Sequence, residues 1–425
     1  MERRFAVRLQ KMMAEAVVGP AVLEGTLERL EQFVEPFGKH LRRSEQRVNA
    51  RRYVSGLVSN LKRKNVESIA YQHDQDRQAL QKFIGQTPWD HRPLIGELVR
   101  QVAAELGTAD GILAFDPSAF PKKGAQSVGV QRQWCGRLGK VDNCQVGVYM
   151  GYVSRHEHAL VDVRLYLPED WAKDHRRRKK CGVPRAVRFQ TRQELILSML
   201  AEHGTRLPHA WIAGDEELGR SAEFRGDLRA LGERYLLAVP SNTKIRDLTA
   251  EPPPYRGSGR HPQGPFVRAD VWRAALPNSV WIPVDVRDGE QGPLIVRVAA
   301  TRVIGTTDKR RRHPAAEEVL VVICREDHGT AVYDYYLANA PPDTPAAEFA
   351  RVAKAEHRIE DCFQRAKSEA GLADYEVRSW EGWHHHQTLS LIATWFLTQE
   401  TRRGKNPHSG FDSPPSALRH CLAAA

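Results

Sequence analysis

Near Asp110 the hydrophobic pattern of this chain switches from the three- and four-residue spacing of helices to short, strand-like apolar runs. Ile112-Leu-Ala-Phe-Asp116 is one such run, ending on a carboxylate. The β-rich runs Gln145 to Val153 and Ala159 to Leu167 follow, separated by a charged turn at Ser154 to His158, and read as a hairpin. After a basic loop from Lys173 to Arg188, a helix is predicted over Thr191 to Glu202, because Thr191-Arg-Gln-Glu194 has the spacing of a capping box. A strand from His209 closes on Asp215, and a helix (Ala222 to Leu231) and a strand (Tyr235 to Pro240) come next. Consecutive strands followed by strand–helix alternation predict an α/β fold, a mixed sheet flanked by helices.

The flanks have different textures. Before residue 107 the pattern is helical, with Met12 to Glu24 and Leu27 to Phe37 broken by Gly19-Pro20 and Pro36. Leu41 to Lys64 holds eight basic residues (Arg42, Arg43, Arg47, Arg51, Arg52, Lys62, Arg63 and Lys64) against one acid, Glu45. Val54, Leu57 and Leu61 recur among them at helical spacing, which predicts a packed helix with one cationic face; a merely solvated surface is the plain alternative. From Asn242 to Ala340, Pro/Gly-rich turns surround strand-like runs at Val280 to Val286, Leu294 to Ala300, Val319 to Ile323 and Tyr333 to Leu337. Helical signal returns over Pro345 to Glu369 and Gln387 to Arg402. The expected organisation is a helical domain (1–106), a core in two parts (107–241 and 341–402), a β-rich insertion (242–340) and a loose tail (403–425).

Composition narrows the function classes. Lys plus Arg number 63 and Asp plus Glu 52, so the net charge is 63 − 52 = +11, which points to an acidic partner, nucleic acid before membrane surface. No stretch nears the ~20 apolar residues needed to span a bilayer, and the N-terminus lacks a signal-peptide core. Six scattered cysteines without a CxxC pair argue against a disulfide framework and a cysteine zinc site, and fit a reducing cytosol. Cys135 and Cys144 are expected to be small buried hydrophobes. No GxxxxGK[ST] pattern supports use of ATP.

The carboxylates carry the chemistry. Asp116 and Asp215 each close an apolar strand, the position at which open α/β sheets place their sites. A turn-forming aspartate is the ordinary alternative for either alone. A close pair is unfavourable unless a cation neutralises it, and such oxygen ligands suit Mg²⁺ or Mn²⁺. On the helix over Pro345 to Glu369, Phe349, Val352, Ile359, Phe363 and Ala366 form the apolar stripe, with Glu360 at its edge and Lys367 two turns on. Glu356 shares that face and rivals Glu360 as a third ligand. His384-His385-His386 points in three directions on a helix start, so a capping or DNA-facing role is expected over metal binding. Trp272 and Trp281 are candidates for stacking on an unpaired base, core packing being their plain alternative.

Three blocks carry a family resemblance. They are Asp116-Pro-Ser-Ala-Phe-Pro-Lys-Lys-Gly124 with Ser127 to Gln145; Gly214-Asp215; and Arg358-Ile-Glu360-Asp-Cys-Phe363 with Lys367 and Gly371 to His384. In this order they resemble the DDE superfamily endonucleases, insertion-sequence transposases with a ribonuclease-H-like core. The resemblance implies that Asp116, Asp215 and Glu360 are the catalytic, metal-binding triad for two Mg²⁺ (or Mn²⁺) ions. It favours Glu360 over Glu356, and it leaves Lys122, Lys123, Arg358 and Lys367 to grip phosphates, with Arg47, Arg51 and Arg52 on the DNA-binding face. The sequence departs from the family at Leu218, where a tyrosine is expected, and at Ala353 and Glu356, where some relatives carry Tyr and Arg.

In-line displacement at phosphorus is served by two cations about 3.5–4 Å apart, which activate the attacking oxygen and stabilise the leaving one. The resemblance therefore implies metal-dependent cleavage and strand transfer on double-stranded DNA at the inverted ends of the chain's own element, by a homodimer when active. It also implies a cytoplasmic, nucleoid-associated bacterial protein without a membrane role. The rivals are a catalytically silent DNA-binding descendant and a metal nuclease acting on other substrates.

Overall fold

The computed structural model describes residues 25–404 apart from 74–76, 256, 258–260, 290–291, 307–311, 328 and 342. The helix expected over Met12 to Glu24 and the tail from 405 onward lie outside the described residues. None of the described helices is long and apolar enough to cross a membrane.

Among the described residues, five helices come first: α1 (Thr26–Gly38), α2 (Ser44–Val58), α3 (Val66–Gln72), α4 (Arg77–Gly85) and α5 (Arg92–Leu106). The basic segment expected to be one helix is split. α2 stops at Val58, where the Ser59 hydroxyl donates to the Gly56 carbonyl, and α3 restarts on Asn65, whose side chain caps the Ser68 N–H. Lys64, expected on the cationic face, is instead buried, its ammonium donating to the carbonyls of Leu57 and Glu369 at 2.7 and 2.5 Å. It ties the N-terminal helices to the far end of the chain.

The sheet then begins with β1 (Ile112–Pro121), β2 (Gln131–Cys135), β3 (Lys140–Val153) and β4 (His158–Leu165). Short helices α6 (Glu169–Lys173) and α7 (His175–Cys181) lead to α8 (Arg192–His203), whose Thr191/Glu194 capping box forms as expected. Next come β5 (Trp211–Gly214), α9 (Glu216–Gly219), α10 (Ala222–Ala230) and β6 (Tyr235–Ala238). β3 runs antiparallel to both β1 and β4, whereas β1, β5 and β6 are parallel, giving the order β4-β3-β1-β5-β6. This is the mixed, ribonuclease-H-like sheet that the sequence implied.

The β-rich segment extends that sheet. It contributes β7 (Lys244–Asp247), β8 (Val267–Arg268), α11 (Ala269–Ala274), β9 (Ile282–Gly289), β10 (Gly292–Gly305), β11 (Glu317–Asp327) and β12 (Thr330–Ala338). β12 pairs antiparallel with β6 and so covers the edge that β6 would otherwise expose. Side chains alternate between the faces: Val321, Ile323 and Tyr336 join the main core, while Leu320, Val322, Tyr335 and Leu337 join a smaller core on the other side.

Two long helices close the fold. α12 (Ala346–Glu369) crosses the sheet, burying Phe349, Val352, Ile359, Phe363 and Ala366, the stripe read from periodicity. α13 (Trp380–Gly404) starts earlier than expected, packs against α2, α4 and β4, and is buried at every residue from 382 to 398. The histidine triplet is therefore interior, not capping or DNA-facing. The ring nitrogens of His385 lie 2.9 and 2.8 Å from the carbonyls of Ile84 and Trp89, of which the neutral ring donates to one, and the ring stacks on Trp89 at 3.7 Å; His386 bonds the Tyr53 hydroxyl and the Gly371 carbonyl. Burial holds the imidazoles of His385 and His386 down to about 4 and about 3, so they pack as neutral hydrogen-bonding groups.

Candidate active site

The register of β1 and β5 builds the site. Their parallel pairing ends at Phe115 opposite Gly214, so Asp116 and Asp215 are the next residues on adjacent strands. β1 does not stop at Asp116, as the apolar run suggested; it continues to Pro121 along β3, with Asp116 opposite Tyr149. The chain leaves β5 at Asp215, which caps α9 by accepting the Leu218 N–H at 3.1 Å. Leu218, where the family pattern expects tyrosine, is fully buried beside Gly214. Asp215 is thus both a cap and a carboxylate at a sheet edge.

A cavity of about 1010 Å³ opens over this edge. Asp116, Asp215, Glu360 and Lys367 line it, as do Trp134 and three arginines that the sequence reading did not single out: Arg137, Arg192 and Arg220. Arg192 follows the capping Thr191 on α8 and pairs with Glu217. Arg137 follows β2, and Arg220 follows α9. No periodicity marks these arginines, because each belongs to a different loop or helix end.

Burial holds the Asp116 carboxyl well above the usual range; Asp215, Glu356 and Glu360 add to the rise, and Lys367 opposes it. Burial also pushes Asp215 up to about 6, against the pull of the Leu218 N–H and Arg192. The rivals on α12 differ. Glu356 is half-buried and pushed up to about 7, first by burial and then by Asp215. Glu360, one turn on, is exposed and held down by His357, whose Nδ1 lies 3.6 Å from it.

The other expected site residues are spread wider. Lys367 lies over the Phe363 ring at 5.1 Å, its ammonium lowered by burial. Lys122 turns to Tyr375, donating to its carbonyl at 3.2 Å and covering its ring at 3.5 Å, while Lys123 is exposed; neither lines the cavity. Arg358 pairs with Asp361 and faces a separate cleft beside β9. Arg47, Arg51 and Arg52 are exposed on α2, Arg47 bonding the Leu41 carbonyl and Arg51 pairing with Glu31. Trp272 and Trp281 belong to the smaller core, Trp272 donating to Asp247 and Trp281 packing on Tyr333, and neither reaches the cavity.

Among the described residues, no three His, Cys, Asp or Glu side chains are gathered closely enough to hold an ion by themselves. The donor chemistry nevertheless fits a hard divalent cation: Asp116 on β1 and Asp215, one residue beyond β5, offer carboxylate oxygens side by side, and Asp215 is among the charges that raise Asp116. A carboxyl whose pKa is raised on folding stabilises the protein below its unfolded value, and that contribution is lost as pH rises through the folded value. Without divalent metal, the melting temperature is therefore expected to fall between about pH 4, the usual carboxyl range, and about pH 6 to 7. Asp215→Asn, which does not ionise, should flatten the fall, and Mg²⁺ should raise the melting temperature at pH 8 more than at pH 5. Calorimetry across pH checks this; an identical fall in the variant would remove Asp215 from the coupled group.

A sequence profile described as DDE superfamily endonuclease matches residues 36–293, more than half of the chain. That span includes Asp116 and Asp215 and ends before α12. A relative described as a probable transposase for insertion sequence element IS701, from Microchaete diplosiphon, is 34% identical over 203 residues, 45% of this chain and 49% of the relative. The chain thus matches about half the length of that curated relative. Among solved structures, a piggyBac transposase synaptic complex with hairpin DNA aligns at a TM-score of 0.40 and 10% identity, covering 96% of this chain and 79% of that one.

Proposed function

The chain belongs to the DDE superfamily endonucleases, and from that premise we propose that it is a transposase that binds the inverted ends of its own insertion sequence and catalyses metal-dependent DNA cleavage and strand transfer. The observation that carries this reading is the side-by-side placement of Asp116 and Asp215 where the parallel pairing of β1 and β5 ends, on the wall of a cavity lined by charges of both signs.

Asp116, Asp215 and Glu360 would hold two Mg²⁺ (or Mn²⁺) ions, which when bound activate the attacking oxygen and stabilise the leaving one. Lys367, Arg137, Arg192 and Arg220 place positive charge along the cavity for the phosphates that flank the reacting bond. Water as the attacking group cuts the strand; a DNA 3′-hydroxyl in the same position joins it to a target. Joining two ends in one event calls for a homodimer at least in the working complex. Labelled duplexes carrying the inverted sequences that flank the coding region should be cut at those ends with Mn²⁺. Equal cutting of scrambled duplexes would favour a general nuclease, and binding without cutting a silent descendant.

The exposed arginines of α2 are assigned to the DNA backbone. Each phosphate contact releases condensed counterions, so the log–log dependence of affinity on salt should have a slope near −0.9 per contact. Replacing Arg47, Arg51 and Arg52 with Ala is expected to flatten that slope by about two to three contacts. A slope equal to that of the wild type would return α2 to a solvated surface.

A further inference from the structure

Of the nine tryptophans, all within the described residues, only Trp134 is exposed, at 57%. It stands on β2, which pairs only with β3 at the end of the sheet, and it lines the cavity that holds Asp116 and Asp215. Its partner in the register is Val141, which is 52% exposed, and Leu138 in the connecting turn is 43% exposed. The tip of the β2–β3 hairpin thus presents an apolar patch at the mouth of a charged cavity. Arg132 on β2, Arg137 in the turn and Lys140 at the start of β3 are exposed around it. Leaving an indole in water beside the site carries a standing cost, because Trp is a residue that folding usually buries.

Resting on the proposed transposase reading, we infer that Trp134 stacks on an unpaired nucleobase next to the phosphodiester that is cut. The charge around the patch selects the occupant. Arg137, with Arg192 and Arg220 in ion pairs to Glu217 and Glu216, suits the phosphates on either side of a nucleotide, and a flat apolar ring beside the exposed Arg132, Arg137 and Lys140 suits a base face. In a duplex both faces of a base are covered by its neighbours, so only an unstacked base offers its face to the indole. Trp134 is thus a positioning residue: by holding one base, it sets the register of the strand over Asp116 and Asp215.

The test uses the full chain, without divalent metal, and two labelled duplexes of one sequence, one blunt and one ending in two unpaired nucleotides, with affinities read by fluorescence anisotropy. Wild type should prefer the unpaired end. Trp134→Ala should weaken binding to that end by roughly 5- to 150-fold, the range for loss of one stacked base, with little change on the blunt duplex. Trp134→Phe should retain most of the preference. Adding the unpaired end should also protect wild-type fluorescence from acrylamide, because the one exposed tryptophan becomes covered. Equal affinities of wild type and Trp134→Ala on both duplexes, or equal losses on both, would overturn the assignment. So would a dimer-to-monomer change in Trp134→Ala without DNA, which would make the patch a self-contact. Failure of wild type to bind any DNA would instead strike at the transposase reading itself.

Discussion

Asp116→Asn and Asp215→Asn should each abolish cleavage of element-end DNA, by roughly 10²–10³-fold or more, the scale for removing one electrostatic stabiliser from a preorganised site. Each substitution keeps the shape of the side chain and removes the charge that balances a cation. DNA affinity should stay near that of the wild type, because the exposed arginines of α2 and the cavity arginines are untouched. The folded state should not suffer either. Both carboxyls are raised by burial, and Asp215 adds to the rise at Asp116, so neutralising either relieves a destabilising charge at pH 8. A variant with normal binding, a higher melting temperature and no cleavage is the full expected result. Either variant cutting at a tenth of the normal rate would refute the triad assignment.

The second large effect decides between Glu360 and Glu356. They lie one turn apart on α12, about 6 Å along the axis at ~1.5 Å per residue, so only one can coincide with a fixed pair of metals. Glu356 is closer in charge to Asp215 and is pushed up to about 7, so near neutral pH it is held partly as the neutral acid. Glu360 is held ionised by His357, lines the cavity, and has an exposed side chain. The resemblance of Arg358-Ile359-Glu360 to the third segment of the family also favours it. Glu360→Gln is accordingly expected to be inactive at every Mg²⁺ or Mn²⁺ concentration, while Glu356→Gln retains substantial cleavage. Rates measured across a metal titration check this, and the opposite pattern would move the third ligand one turn back along α12.

Local chemistry was legible wherever a neighbour in sequence decided it. The capping box at Thr191, the apolar stripe of α12 and the β-rich runs around residue 150 all depend on spacings of a few residues, and all three form as read. The strand-end carboxylates were legible too, although β1 runs on past Asp116 because β3 offers it backbone partners as far as Pro121. What the sequence could not decide was which polar groups would be enclosed. Lys64 reads as one more exposed cation, yet the carbonyls of Leu57 and Glu369 draw it inside. The histidine triplet reads as a polar helix start, yet carbonyls from α4, the loop after it and Gly371 satisfy its members in the core. Trp134, Arg137, Arg192 and Arg220 were silent for the same reason. They meet Asp116 and Asp215 only because sheet register and helix packing bring separate segments to one cavity, and burial, charge coupling and exposure are properties of that assembly rather than of any local pattern.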